Sequence, residues 1–297
     1  MKRRNFLWYS LLFLSGCSLA TSQSQNNSSN SISNLPDQLR FTVTDVNTLE
    51  QLELEFGAFR QALAEVLEVN IEFVLVENFV AAAPAMLSNQ IDIALAGPSE
   101  YIILNARAKA IPLIGITRPD YRTAISVKAD SDITSLEQLK GKKIGIKTEG
   151  STAGHLGTTK LLMEIGLNPK SDFKSIMIGD RGAQALNNGE IDAWGDSYYR
   201  RRKLLKAAGL SETNFPIIAE GPRLPNDILV ANPNIDTNTL NEIRDRIIQN
   251  QEKLLEAILI SPANQKYQKG KIVIANDADY EMIREVYRAI GQDDFLR

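Results

Sequence analysis

The chain has 297 residues, and its 33 Lys and Arg against 36 Asp and Glu leave a formal net charge of -3, which gives no electrostatic reason to expect nucleic acid as a partner. A single cysteine excludes an intramolecular disulfide and a thiolate metal site. With 43% hydrophobic and 23% charged residues, the composition is that of a soluble globular protein, long enough for one large or two medium domains.

The first element is a leader. Lys2, Arg3 and Arg4 precede an apolar stretch from Phe6 to Leu14, and Leu14-Ser15-Gly16-Cys17 closes it. A charged start, a short apolar stretch and small residues before a cut site make a secretory signal, and this stretch is too short to remain as a membrane span. Residues 1–17 resemble a bacterial lipoprotein signal, in which Ser15 and Gly16 admit the peptidase and Cys17 then carries lipid. An ordinary secretory signal with an incidental cysteine is the plainer alternative, but the sole cysteine falls where a lipobox needs it. Residues 18–37 read as a disordered linker, because their Ser-, Asn- and Gln-rich composition has too little apolar surface to offset ordering entropy. The expectation is an exported protein of the cell envelope, anchored through its N-terminus.

Beyond the linker, short apolar runs alternate with helical patterns, the signature of parallel strands joined by helical crossovers. Phe41 and Val43 alternate in a first strand. Leu52, Phe56, Phe59, Leu63, Val66 and Leu67 recur at three- and four-residue spacing in a helix. A strand at 71–76, an alanine-rich helix at 79–87, a buried strand at 91–96 and a proline-opened helix at 98–108 complete a first α/β unit reaching about Ile116. The pattern then restarts with strands at 124–127, 143–147, 175–178 and 191–194 and helices at 152–165 and 183–188. A strand at 228–231, one long helix from Thr237 to about Leu259 and a terminal helix at 279–290 follow.

The most specific chemistry lies in Thr148-Glu149-Gly150-Ser151-Thr152-Ala153-Gly154-His155, between a strand and a helix. Gly150 permits a tight turn, and Ser151 and Thr152 place hydroxyls beside the unpaired N–H groups of a helix start, whose dipole favours an anion. Serine and threonine also cap helices that bind nothing, and the motif alone does not choose between cap and oxyanion cradle. It matches neither a P-loop nor a dinucleotide fingerprint.

The surrounding order of motifs does carry a resemblance. Gly97-Pro98-Ser99-Glu100-Tyr101, Ser135-Leu136-Glu137-Gln138-Leu139-Lys140-Gly141, the Gly150 loop, Asn188-Gly189-Glu190-Ile191-Asp192-Ala193, Pro225-Asn226-Asp227 and Asp277-Ala278-Asp279-Tyr280 together resemble the phosphate, phosphite and phosphonate-binding proteins of ABC importers, from about Phe41 to Gly291. The resemblance implies an α/β, bilobal fold of the type II periplasmic-binding-protein kind. Lobe one would span 38–121 and 226–297 and lobe two 122–225, with a hinge of two crossover segments. It implies binding without catalysis and without a cofactor, a small phosphorus oxyanion as ligand, ABC permease subunits and the membrane, through the lipid, as partners, and a monomer.

Carried over to this chain, the family's site places Ser151, Thr152 and Ala153 at the phosphorus oxygens, with the Tyr101 hydroxyl donating to the same group. Asp196 matches an acidic residue at a strand end, where an acceptor-only carboxylate favours a ligand bearing a P–OH proton or an amine. Asn47, with Asp45, is expected on lobe one. Phe79 stands where a tyrosine is frequent and keeps the ring without the hydroxyl. Arg181 stands near a family histidine and either reaches the cleft, suiting a bidentate oxyanion, or is a surface arginine. Trp194 either walls the pocket or packs in the core. The run Arg200-Arg201-Arg202-Lys203 reads by default as a solvated helix face, with contact to a permease or anionic lipid as the alternative, and His155 reads as packed or surface rather than as a titrating group. The Gly-Ser-Thr-Ala-Gly loop is not a nucleophile elbow, and His155 four positions on is badly placed as a base for Ser151, which argues against a hydrolase. A sulfonate or a thiamine-type precursor is the other ligand class that this architecture serves.

Overall fold

Two separate sheets organise the computed structural model, which describes residues 35–78 and 80–297. The leader with Cys17, most of the linker and Phe79 lie outside the described residues.

The first lobe contains β1 (Gln38–Val43), α1 (Leu49–Leu67), β2 (Asn70–Phe73), α2 (Ala82–Leu87), β3 (Ile93–Ala96), α3 (Pro98–Ala108) and β4 (Ile111–Ile116). The second contains β5 (Arg122–Ser126), β6 (Lys143–Ile146), α4 (Thr158–Glu164), β7 (Lys174–Met177), α5 (Gly182–Asn187), β8 (Ala193–Ser197), α6 (Tyr198–Ala207) and β9 (Ile217–Arg223). The chain then returns to the first lobe with β10 (Asp227–Ala231), α7 (Thr237–Gln249), α8 (Gln251–Leu259), β11 (Ile272–Ile274) and α9 (Glu281–Ile290). Strand order is β11-β4-β10-β3-β1-β2 in the first sheet and β7-β6-β8-β5-β9 in the second. The fold is therefore bilobal α/β, with two chain crossings, between β4 and β5 and between β9 and β10.

Neither sheet is wholly parallel, unlike the sequence-based expectation. β10 runs antiparallel to β3 and β4, β11 to β4, and β5 to β8 and β9. Two of the reversed strands, β5 and β10, come directly after a crossing, where the chain enters the sheet from the other lobe instead of through a helical crossover; β11 follows α8 within the first lobe.

Helices cover both faces of the first sheet, so its strands are apolar on both sides. Ile93, Leu95, Leu229 and Ala231 face a core shared with α1, α7 and α8, while the alternate residues Ala94, Ala96, Ile228 and Val230 face α2, α3 and α9. In the second sheet Ile125, Ile144 and Ala193 pack against Leu161 and Leu162 of α4, while Trp194 packs among α5 and α6 residues on the other side. Trp194 is thus core. No helix among the described residues is long and apolar enough to cross a membrane.

Helix starts are set by local chemistry. Thr48 accepts from the Gln51 N–H at 3.1 Å to open α1, and Ser197 accepts from the Arg200 N–H at 3.2 Å to open α6. The long helix expected from Thr237 to Leu259 is two, because Asn250 (φ -112, ψ 24) leaves the helical region between α7 and α8.

Candidate functional site

The carboxyl ends of β1, β3, β6 and β8 open onto one cavity of about 480 Å³ between the lobes. This is where open α/β sheets bind ligands. The Gly150 loop forms its second-lobe wall, and the start of α3 forms part of the first-lobe wall.

The loop is built for tight approach. Gly150 has φ 74, which only glycine adopts without strain, and its N–H donates to His155 Nδ1 at 3.1 Å. Thr152–Gly157 is a π-helical turn running into α4, with the Leu156 N–H reaching the Ser151 carbonyl at 3.0 Å. Such turns are frequent at functional sites, and the leading N–H groups of the turn have no acceptor within the helix. Thr123 and Thr158 both donate to the Ala153 carbonyl, at 3.1 and 3.2 Å, pinning the turn to β5. Gly195 of β8 is required by the same packing, since a Cβ there would lie 2.0 Å from Thr158 Oγ1.

The lobes meet at this turn. The Ser99 N–H, at the start of α3, donates to Thr152 Oγ1 at 3.2 Å, and that hydroxyl donates to Ser99 Oγ at 3.0 Å. Two helix starts from different lobes thus converge on one cavity wall, and their dipoles both make it favourable to negative charge. Leu156 inserts into the first-lobe core beside α9 residues, Ala153 packs with Tyr121 and Leu224 of the two crossings, and Lys160 of α4 pairs with Glu285 of α9 at 2.9 Å.

Charges of both signs line the rest. Asp196 is buried, and burial raises its pKa against the pull of Arg200, which contacts Oδ2 at 2.5 Å. Oδ1 accepts from the Ser197 N–H at 2.7 Å. Arg200 also pairs with Asp180. Burial opposes ionisation of Asp227, but Arg118 at 3.1 Å and Lys266 at 3.4 Å hold it below the usual carboxylate range, helped by the Tyr267 hydroxyl at 2.7 Å. Arg118 also stacks over the Tyr121 ring, 3.5 Å from its centroid. Glu100 accepts from the Gly97 N–H at 2.7 Å at the start of α3 and is pushed up to about 7 by burial and by Asp45. Burial moves His155 the other way, down to about 4, so it is neutral at pH 7 and able to accept from Gly150.

Of the residues singled out from sequence, Asn47, Ser151, Thr152, Ala153 and Asp196 line this cavity, as does Asp45. Tyr101 does not. It is buried in the first-lobe core with its ring 4.6 Å from that of Tyr280, and its hydroxyl donates to Asp277 at 2.5 Å, because this side of α3 faces the terminal segment. Arg181 is also placed elsewhere: its side chain is 64% exposed and pairs with Glu190 at 3.4 Å, while the preceding residue, Asp180, lines the cavity. Asn78 lines the cavity next to Phe79, which lies outside the described residues. Asp196 accepts from the Ser197 N–H and from Arg200 within the chain.

The basic run is corrected as well. Arg202 and Lys203 are exposed, as the solvated-face expectation has it, although Lys203 also lines the cavity together with the half-buried Arg200; Arg201 is buried, bonded to Ser126, Glu212 and Phe215. The three-residue spacing of Arg200 and Lys203, just after the capping Ser197, was the available signal. Lys147, Arg118 and Lys266 carried no signal in sequence, since their positions depend on how strand ends and crossings meet.

The chain is similar to known proteins in sequence and in fold. The family model for the periplasmic substrate-binding protein of phosphonate ABC transporters matches residues 41–280. A phosphate-import protein, PhnD, from Mycolicibacterium smegmatis is 21% identical over 298 residues, covering 92% of each chain. The solved structure of PhnD1 from Prochlorococcus marinus, in complex with methylphosphonate, superposes with a TM-score of 0.64 at 16% identity, over 87% of this chain and 100% of that one. A binding protein component of an ABC phosphonate transporter from Pseudomonas aeruginosa gives 0.63 at 18% identity, over 86% and 87%. With most of its length matched by the family model and the fold in agreement, this chain belongs to the phosphonate ABC transporter periplasmic substrate-binding protein family.

Proposed function

We propose that this chain binds a small phosphorus oxyanion, such as phosphate, phosphite or an alkylphosphonate, between its lobes and delivers it to a membrane permease. The observation that carries the reading is the convergence of two helix starts at Ser99 and Thr152 on an inter-lobe cavity wall. Ser151, Thr152 and the N–H groups through Ala153 form the oxyanion cradle, and an anion touching both walls favours the closed arrangement of lobes 38–121 with 226–297 and 122–225. Residues 1–17 serve as a lipoprotein signal, 18–37 as a tether, and lipid on Cys17 holds the monomer at the membrane. The chain supplies binding only, and a permease with its own ATPase drives import.

One observation keeps a second ligand class in play. Because Asp196 is covered by Arg200, it does not present the bare acceptor that would turn away an aprotic sulfonate. The experiment is thermal unfolding of tag-free protein with phosphate, phosphite, methylphosphonate, sulfate and methanesulfonate. A true ligand at a hundred times its Kd stabilises the native state by about 2.7 kcal/mol. Stabilisation by phosphorus anions is expected; stabilisation by the sulfur anions alone would replace this reading with the sulfonate one.

A further inference from the structure

The carboxylates that line the cavity are met from within the chain. Both oxygens of Asp196 are taken, by the Ser197 N–H and by Arg200, and both oxygens of Asp227 are taken, by Arg118 and by Tyr267 with Lys266. Asp180 shares the Arg200 guanidinium, Glu100 receives the Gly97 N–H and the Thr44 hydroxyl, and Glu149 receives the Gln292 amide. Asp45 has the loosest partner, Lys266 at 3.9 Å, and is also the most open to water of those facing the first lobe. The bases are not matched in the same way: among the described residues, Lys147 and Lys203 line the cavity without an ion-pair partner.

Resting on the anion-binding reading above, we propose that the site selects phosphorus oxyanions that carry no ammonium group, and that Arg200 determines this. Its guanidinium, 20% exposed, covers an Asp196 side chain that is only 3% exposed, so it occupies the place an amine of the ligand would take. A ligand ammonium entering the cavity loses water and finds the buried carboxylate of Asp196 already covered, while Arg200, Lys147 and Lys203 repel it. Discrimination comes from that repulsive element as much as from the cradle.

The test uses the mature, tag-free chain and titration calorimetry at pH 7.5 with n-propylphosphonate and 2-aminoethylphosphonate, which differ by a terminal methyl against an ammonium. Methylphosphonate and inorganic phosphate are the reference arms. The amino compound is expected to bind roughly tenfold more weakly or worse, a difference of about 1.4 kcal/mol or more. Equal or tighter binding of the amino compound overturns the proposal and leaves the anion reading standing. No binding of any of the four removes the reading on which it rests. Arg200→Gln uncovers Asp196 and is expected to narrow or invert the ratio; a folded Arg200→Gln protein with the wild-type ratio removes Arg200 from the role. Should that variant not fold, Asp196→Asn with Arg200→Gln removes the buried charge too. It is expected to weaken discrimination, through lost repulsion, without gaining preference for the amine, and an unchanged ratio there counts against Arg200 equally.

Discussion

Replacing His155 with Phe tests how the cradle is held. The chain has one histidine, so its proton can be isolated by comparing variant with wild type. In the folded protein burial holds His155 down at about 4, against an ordinary value of 6.5, and its Nδ1 accepts the Gly150 N–H at 3.1 Å. A depressed folded value means that the unfolded chain takes up the proton first. Stability from this group is therefore whole above pH 6.5 and is lost as pH falls toward 4, by roughly 2 kcal/mol between pH 7.5 and pH 5. The phenylalanine variant has no such loss, but it leaves the Gly150 N–H without an acceptor, at a cost of about 1–3 kcal/mol at every pH. The variant should therefore be clearly less stable at pH 7.5 and close to wild type at pH 5. Wild type alone hides the effect, because Glu100 works in the opposite direction: its value raised to about 7 gives stability that is whole below 4.5 and lost as pH rises through 7. Urea unfolding of both proteins at pH 5.0, 6.0 and 7.5 reads the difference, and a stability gap that does not change with pH would refute a neutral, buried His155 strut.

Three further substitutions probe the cradle from its open and packed sides. Ser151→Ala should weaken binding of the best anion by about 1–3 kcal/mol, the range for a hydrogen bond to a charged group, and Thr152→Val, which removes the hydroxyl bonded to Ser99 across the lobes, should weaken it as well; calorimetry showing wild-type affinity in both would remove the proposed cradle. Gly195→Ala drives a Cβ to 2.0 Å from Thr158 Oγ1, so the turn must shift off β8; a loss of roughly 1–3 kcal/mol in urea unfolding, together with weaker anion binding, is expected, and unchanged stability would contradict the packing.

What the sequence disclosed follows from how local each signal was. The continuous apolar runs at 93–96 and 228–231 placed central strands, and the Ser151 loop announced a helix start, because both depend on neighbours in the chain. The break at Asn250 was hidden since Ile243, Ile247, Leu254 and Ile258 keep helical spacing straight through it, all on one buried face. β11 is three residues long and carries no periodicity, and β9, with Gly221 and Pro222, reads as loop although it pairs at the sheet edge. Tyr101 and Arg181 were placed by matching positions to a family pattern. Their side chains follow a helix phase and a strand end that only packing against Tyr280 and beside Asp180 decides.

The charge pattern of the cavity carries the last step. A binding site whose buried carboxylates Asp196 and Asp227 are already paired and whose two helix starts already touch across the lobes has little to reorganise when an anion arrives, so less of the gross interaction is lost to ordering. The paired acids also explain why a cavity with buried Asp196 and Asp227 still suits a negative guest. Arg200, Arg118 and Lys266 cancel those charges in place, which leaves the dipoles at Ser99 and Thr152 and the lysines at 147 and 203, set against the outer carboxylates Asp45 and Glu149, as the field that the ligand meets.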